Sequence, residues 1–354
     1  MRHSRILVVA LIPIGDTLFA TPVLRALRQG FPQAHITAVT STSNRDILEG
    51  NPDLDALLAQ PTRQYFDLAL VRDLWRGLRE VGFDLGISLN PFLTPVFRLL
   101  TRTARWLALP LPPWWWLVSH RRGPWGATHA VTHYLRTLEP LGLTADDPTP
   151  RVYPSPEERR WARAVFAHRG VRETDFVLAV HPGGEGWRGR KRWTPEGFAR
   201  VAQELARRYR GVVLLVGGRA ERDLTEDIAA RLDCPRLNLA GETSLRQTAA
   251  LLERATLFVG NDSSPLHLAA AVGTPVVGIY GPSNPEQFAP RSPRAAMVRS
   301  GRPCAPCFHF VGTQAVWDRP WRFTAPCMAE ITPERVIMAA VALLSRSGTQ
   351  HRSA

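Results

Sequence analysis

The chain has 354 residues, 45% of them hydrophobic, with 30 prolines and four cysteines. That is enough apolar material for two domains of about 150 residues, and it excludes a disordered, collagen-like or disulfide-built chain. Lys and Arg number 44 against 31 Asp and Glu, a net charge of +13 with a pI near 10.8, which favours an anionic partner: nucleic acid, anionic lipid or a phosphorylated substrate.

In chain order, Met1–Ala10 runs straight into a strand-like segment with no signal-peptide pattern. Short apolar runs at Ile6–Leu11, Ile36–Val39, Leu85–Leu89, Phe176–Val180, Val212–Val216, Leu257–Val259 and Val276–Tyr280 read as buried strands. Helical patterns lie between them: Leu18–Arg28, Glu157–His168, a helix opening at Thr194-Pro195, and Leu266–Val272. The third of these places Phe198, Val201, Ala202 and Leu205 at i, i+3, i+4, i+7. This alternation predicts an α/β fold of doubly wound parallel sheets. It pauses around residues 106–127 and again at Asp146–Pro156, a Pro-rich linker. Two domains are therefore expected, 1–155 and 156–332, followed by a last helix over 333–345 and a frayed tail.

The longest Trp-rich apolar run, Leu107–Val118, is broken by three prolines and is shorter than the roughly 20 residues that span a bilayer. Few cysteines and no leader pattern point to a reducing compartment. From Leu85 to Leu138 there is no acidic residue, while Arg98, Arg102, Arg105, Arg121, Arg122 and Arg136 alternate with Trp106, Trp114, Trp115, Trp116 and Trp125. This is either a packed loop with solvated arginines or a basic, aromatic face for an anionic amphiphile.

Gly184-Glu-Gly186-Trp-Arg-Gly189 matches GxGxxG, but Arg190, Lys191, Arg192 and Trp193 separate it from the next helix. A dinucleotide turn opens its helix directly, so an NAD-dependent oxidoreductase is the weaker reading. Lys191 is the only lysine among the 44 basic residues; it is a compact charge suited to a phosphate oxygen, or a chance surface residue. Asp262-Ser263-Ser264-Pro265-Leu266-His267 opens a helix after a strand, an arrangement that binds phosphate or merely caps the helix. Gly15-Asp16 follows the first strand and reads as a cap on local grounds. Glu221 and Glu242 lie at similar corners, each able to hold a ribose hydroxyl or to cap. Cys304, Cys307, Cys327 and His309 make a weak metal pattern, and ordinary thiols fit better. His129 and His133 read as packed rather than catalytic.

Taken together, these motifs resemble the bacterial heptosyltransferases of glycosyltransferase family 9, which build the inner core of lipopolysaccharide. The resemblance rests on the Arg5–Val39 segment containing IPIGDTLFATPVLRALRQGFP, Gly50-Asn-Pro, His181-PGG, Lys191-Arg-Trp193, Gly217-Gly-x-x-Glu221, Leu239-Ala-Gly241-x-Thr-Ser-Leu245 and Gly260-NDSSPLHLAAAVGTP. It implies a GT-B fold, two Rossmann-like domains facing across a cleft, with the final helix returning to the first domain. It implies an inverting transfer of heptose from ADP-heptose to a Kdo or heptose of the lipopolysaccharide precursor.

By the same resemblance Asp16 is the general base and Lys191 meets the departing diphosphate together with Ser263 and Ser264. Glu221 holds the ribose, and Gly15, Leu239, Asp262 and His267 complete the donor site. No metal or other cofactor is required. Arg98, Arg102, Arg121, Arg122 and Trp114–Trp116 become an acceptor or membrane face for anionic lipid A and Kdo. The protein would then be cytoplasmic, peripheral at the inner membrane, and would bind no nucleic acid. A helix N-terminus is expected to hold the Asp16 carboxyl low, making it a weak base. Leu109-PLPPWWW and the segment after Cys307 depart from the family pattern. Another nucleotide sugar, or the protein acceptor of a branch with cysteine-bound iron, remains the alternative.

Overall fold

A computed structural model describes residues 4–60, 77–90, 93–101, 103, 105–108, 128–184, 191–311, 314–317 and 326–346, with backbone alone for 308–311 and 314–317. The chain divides into two compact units, Met1–Tyr153 and Pro154–Ala354.

The first unit contains β1 (Arg5–Ala10), α1 (Ile14–Gly30), β2 (His35–Ser41), α2 (Arg45–Leu48), β3 (Ala56–Gln60), β4 (Leu85–Ser88), α3 (Thr94–Thr101), β5 (Arg105–Ala108) and α4 (Ala130–Leu135). Its strands form one sheet in the order β3-β2-β1-β4-β5, every pair parallel. β1 lies at the centre between β2 and β4, and Ile6, Leu7, Val8, Val9, Leu85 and Ile87 are fully buried there. That is why they read as unbroken apolar runs. On one face Leu7, Val9, Val39, Phe83 and Phe97 form a core.

The second unit contains α5 (Pro156–His168), β6 (Val177–His181), α6 (Pro195–Tyr209), β7 (Val212–Leu215), α7 (Arg222–Ala230), β8 (Arg236–Asn238), α8 (Leu245–Arg254), β9 (Leu257–Asn261), α9 (Ser264–Ala271), β10 (Val276–Tyr280), α10 (Pro285–Phe288), β11 (Ala295–Arg299), a β12–β13 hairpin (Phe308–Val311, Gln314–Trp317), α11 (Pro326–Ala329) and α12 (Pro333–Arg346). Its six-stranded sheet runs β11-β10-β9-β6-β7-β8, again parallel throughout. Helix starts follow the capping chemistry of the sequence. Ser155 and Glu158 form a reciprocal capping box on α5, and Thr194 accepts from the Gly197 N–H ahead of Pro195 on α6.

Two elements differ from the sequence reading. α1 begins at Ile14 rather than Leu18, with Pro13 at its N-cap, so Gly15 and Asp16 lie inside its first turn. The last helix, α12, falls within the second unit. It packs on α6, β10 and β11, and Val336, Ala340, Leu343 and Leu344 are buried in the second unit's core beside Phe198 and Val298.

Candidate active site

In each unit the sequence-predicted residues gather at the carboxyl ends of the parallel strands, where open α/β sheets bind ligands. In the first unit the corner from β1 into α1 is pinned by side chains from neighbouring segments. The Asn90 amide donates to the Leu11 carbonyl at 2.9 Å. Asn44 donates to the Ile12 carbonyl at 2.5 Å and to Thr17 Oγ1 at 2.9 Å, and Thr17 in turn donates to the Pro13 carbonyl. Asp16, half-buried on this corner, receives a hydrogen bond from Tyr134 of α4, which packs on α1.

Burial lifts the Asp16 carboxyl from an ordinary 3.8 to about 6, outweighing the Tyr134 hydrogen bond that lowers it. A helix N-terminus favours the anion by only about 0.3–1 kcal/mol, so the expectation of a low pKa is reversed. Burial and the Asp16 charge push the Tyr134 phenol well up, so it keeps its proton and donates. The result is a carboxylate that is ionised at neutral pH yet basic enough to accept a proton.

In the second unit two clusters meet at the ends of β6, β7 and β9. In the first, Lys191 Nζ donates to Asp262 Oδ2 at 2.7 Å and lies 5.7 Å from the centre of the Phe288 ring. His267 Nε2 approaches Asp262 Oδ1 at 3.4 Å. Burial raises the Asp262 carboxyl, but the Lys191 charge and the His267 contact outweigh it and hold it well below the usual range. The lone lysine is thus a built-in part of the site, only 13% exposed. In the second cluster His181, the last residue of β6, bridges Glu221 and Ser263. Its Nε2 is 3.0 Å from Glu221 Oε2 and its Nδ1 is 3.0 Å from Ser263 Oγ. Glu221 also accepts the N–H groups of Gly184 and Gly218, each at 2.9 Å. Burial alone would raise Glu221, but His181 and these two N–H groups bring it down to about 2.

Asn261 supports both clusters. Its amide donates to the Pro182 and Gly183 carbonyls and its carbonyl accepts the Trp193 N–H, while Trp193 Nε1 donates to the Ile331 carbonyl. The turn after β6 and the start of the Lys191-Arg-Trp193 segment are thereby fixed to β9. Neither Asp262 nor Ser263 caps α9 through its side chain, because the first is held by Lys191 and the second by His181 and the Asn261 carbonyl. Ser264 is the first residue of α9.

Leu239 is buried, its N–H on the Leu215 carbonyl. Glu242 is paired with Arg222 at the surface. His129 caps α4 by accepting the Val131 N–H, and His133 is buried. Arg98 is exposed on α3, whereas Arg102, Arg121, Arg122, Trp114, Trp115 and Trp116, like Gly186 and Gly189 of the GxGxxG match, lie outside the described residues. Burial, with Cys307 and Cys304 nearby, pushes the Cys327 thiol up to about 11. Among the described residues, no group of three or more His, Cys, Asp or Glu is placed to hold a metal, and no helix is long and apolar enough to cross a membrane.

The sequence reading singled out neither Asn44, Asn90, Tyr134 nor Asn261, and quoted His181 and Trp193 only as parts of motifs. A local signal existed for the last three, each inside a quoted motif. None existed for Tyr134, which reaches Asp16 from more than a hundred residues away.

The model of glycosyltransferase family 9 (heptosyltransferase) matches residues 71–316. Lipopolysaccharide heptosyltransferase 3 of Escherichia coli is 31% identical over 284 residues, 75% of this chain and 79% of that protein. Among solved structures, the family 9 glycosyl transferase from Veillonella parvula superposes with a TM-score of 0.80 at 23% identity, covering 98% of both chains. The E. coli ADP-heptose lps heptosyltransferase II gives 0.73 at 24% identity, covering 97% of this chain and 99% of that one.

Proposed function

The chain belongs to glycosyltransferase family 9, with the GT-B fold of its heptosyltransferases, and from that premise we propose that it moves heptose from ADP-heptose onto the inner core of a lipopolysaccharide precursor with inversion at the anomeric carbon. The observation that carries this reading is the pairing of the chain's only lysine with a buried aspartate directly before the α9 N-terminus. A nucleoside diphosphate leaving group needs positive charge that is already in place as the glycosidic bond breaks. Lys191, fixed by Asp262, and the positive end of the α9 dipole supply it without reorganisation. Glu221, ionised at any physiological pH, is a strong acceptor for the ribose hydroxyls.

Asp16 is the base. With its carboxyl at about 6, it takes the acceptor's hydroxyl proton as that oxygen attacks the anomeric carbon from the side opposite the ADP. One C–O bond forms as the other breaks, and ADP leaves with the bonding pair. The scheme invokes no metal.

The acceptor is an anionic glycolipid at a cytoplasmic membrane surface. On α3 the exposed Arg98 lies between Val96, 45% exposed, and Leu99, 81% exposed, a combination suited to an amphiphile with negative head groups. Transfer is tested with ADP-heptose and a Kdo-bearing lipid acceptor, comparing wild type with Asp16→Asn. The variant retains ADP affinity within about twofold and loses at least a hundredfold in turnover, the scale of a missing general base. Near-wild-type turnover removes Asp16 from the role.

A further inference from the structure

Resting on the donor-site reading above, we propose that His181 is a positioning residue that joins Glu221 and Ser263 into one hydrogen-bonded unit, so that the ribose side and the diphosphate side of the nucleotide are gripped together rather than independently. His181 ends β6 with 2% of its surface exposed, too enclosed for water to replace either partner. A carboxylate only accepts hydrogen bonds, so the nitrogen facing Glu221 carries a proton, and Nδ1 is left to the Ser263 hydroxyl.

That hydroxyl has one proton and two acceptors within reach, His181 Nδ1 at 3.0 Å and the Asn261 carbonyl at 3.1 Å. Turned toward these two, the hydroxyl donates to one at a time, and Ser263, the N-cap residue of α9, makes no side-chain cap. The bridge therefore does two things. It fixes the Glu221 carboxylate beside the Gly184 and Gly218 N–H groups, and it leaves the α9 N-terminus without a side-chain cap. Glu221 stands at the β7 corner and Ser263 at the β9 corner. His181, on the strand between them in the sheet, touches both.

The experiment is a double-mutant cycle on ADP affinity, measured by calorimetry with Glu221→Gln, Ser263→Ala and the double variant. Residues in one network couple, whereas independent contacts add. The expected combined loss differs from the product of the single losses by about fivefold (~1 kcal/mol). Repeated with His181→Leu, which itself weakens ADP about tenfold, the cycle becomes multiplicative. His181→Gln, able to donate to Glu221 and accept from Ser263, recovers part of the affinity that His181→Leu loses. Melting temperatures check each variant, and the cycle with His181 intact stands even if His181→Leu does not fold. ADP binding with fully multiplicative losses, or wild-type affinity in His181→Leu, overturns this inference alone. A wild type that binds no ADP overturns the donor-site reading and this inference with it.

Discussion

Replacing Asp16 by Asn is expected to make the protein inactive and more stable. The carboxyl moves from 3.8 to about 6 on folding because burial removes water from it. A shift of about two units at 1.36 kcal/mol each sets a ceiling near 3 kcal/mol on what the ionised group costs the fold. The side chain keeps some contact with solvent, so about 1–2 kcal/mol is the expected gain at neutral pH. The sign follows from proton counting. Between the unfolded pKa near 4 and the folded value near 6 the native state binds more protons than the unfolded one, so wild-type stability falls as pH rises through that window and stays lower above it. Asn carries no charge, so the variant's advantage is absent below pH 4, grows between pH 4 and 6, and is constant above. For a unit of this size it is about 3–6 °C in melting temperature at pH 7.5. Thermal melts of both proteins at pH 4, 5, 6 and 7.5 read it directly. An advantage independent of pH, or none at pH 7.5, refutes the claim that burial raises this carboxyl.

Three further outcomes follow from the second unit. Adding a methyl at Gly183 would overlap the Glu221 carboxylate, so Gly183→Ala should weaken ADP at least tenfold and destabilise by about 1–3 kcal/mol; titration and denaturant melts check both. Asn261→Ala strands two buried carbonyls and the Trp193 N–H, at about 2–4 kcal/mol in total, measured by urea unfolding. Transfer activity is expected to survive dialysis against EDTA unchanged, because Lys191 and the α9 N-terminus carry the charge; loss restored by a divalent cation contradicts that scheme.

The seven strands legible in the sequence are the interior strands of the two sheets, and the four it left unassigned in those sheets, β3, β5, β8 and β11, are their edges. Interior parallel strands are covered on both faces and spell continuous apolar runs such as Leu178–Val180. An edge strand such as β8 or β11 is only partly buried and mixes in Arg236 or Arg299, so its pattern dilutes. Site residues divide in a similar way. Lys191, Asp262 and Glu221 sit in corner motifs where residue type and position already suggest ligand chemistry. What holds the corners does not: Asn261 in the second unit, like Asn44 and Asn90 at the β1–α1 corner of the first, acts through backbone carbonyls that only the folded chain brings within reach. The early start of α1 is hidden because its N-cap, Pro13, has no side-chain acceptor of the kind that marks a helix start. The Asp16 pKa was misjudged because a helix terminus is visible in sequence, whereas the loss of water around a side chain is not.

On the proposed reading the second unit grips an ADP-sugar through Lys191. Calorimetric titration of the wild type and Lys191→Ala with ADP, UDP, GDP and NAD at matched concentrations tests it most directly. ADP is expected to bind the wild type in preference to the other three, and the substitution to weaken it at least tenfold. Preference for UDP or GDP would overturn the donor sugar, and binding of NAD alone, or ADP affinity untouched by the loss of Lys191, would contradict the site.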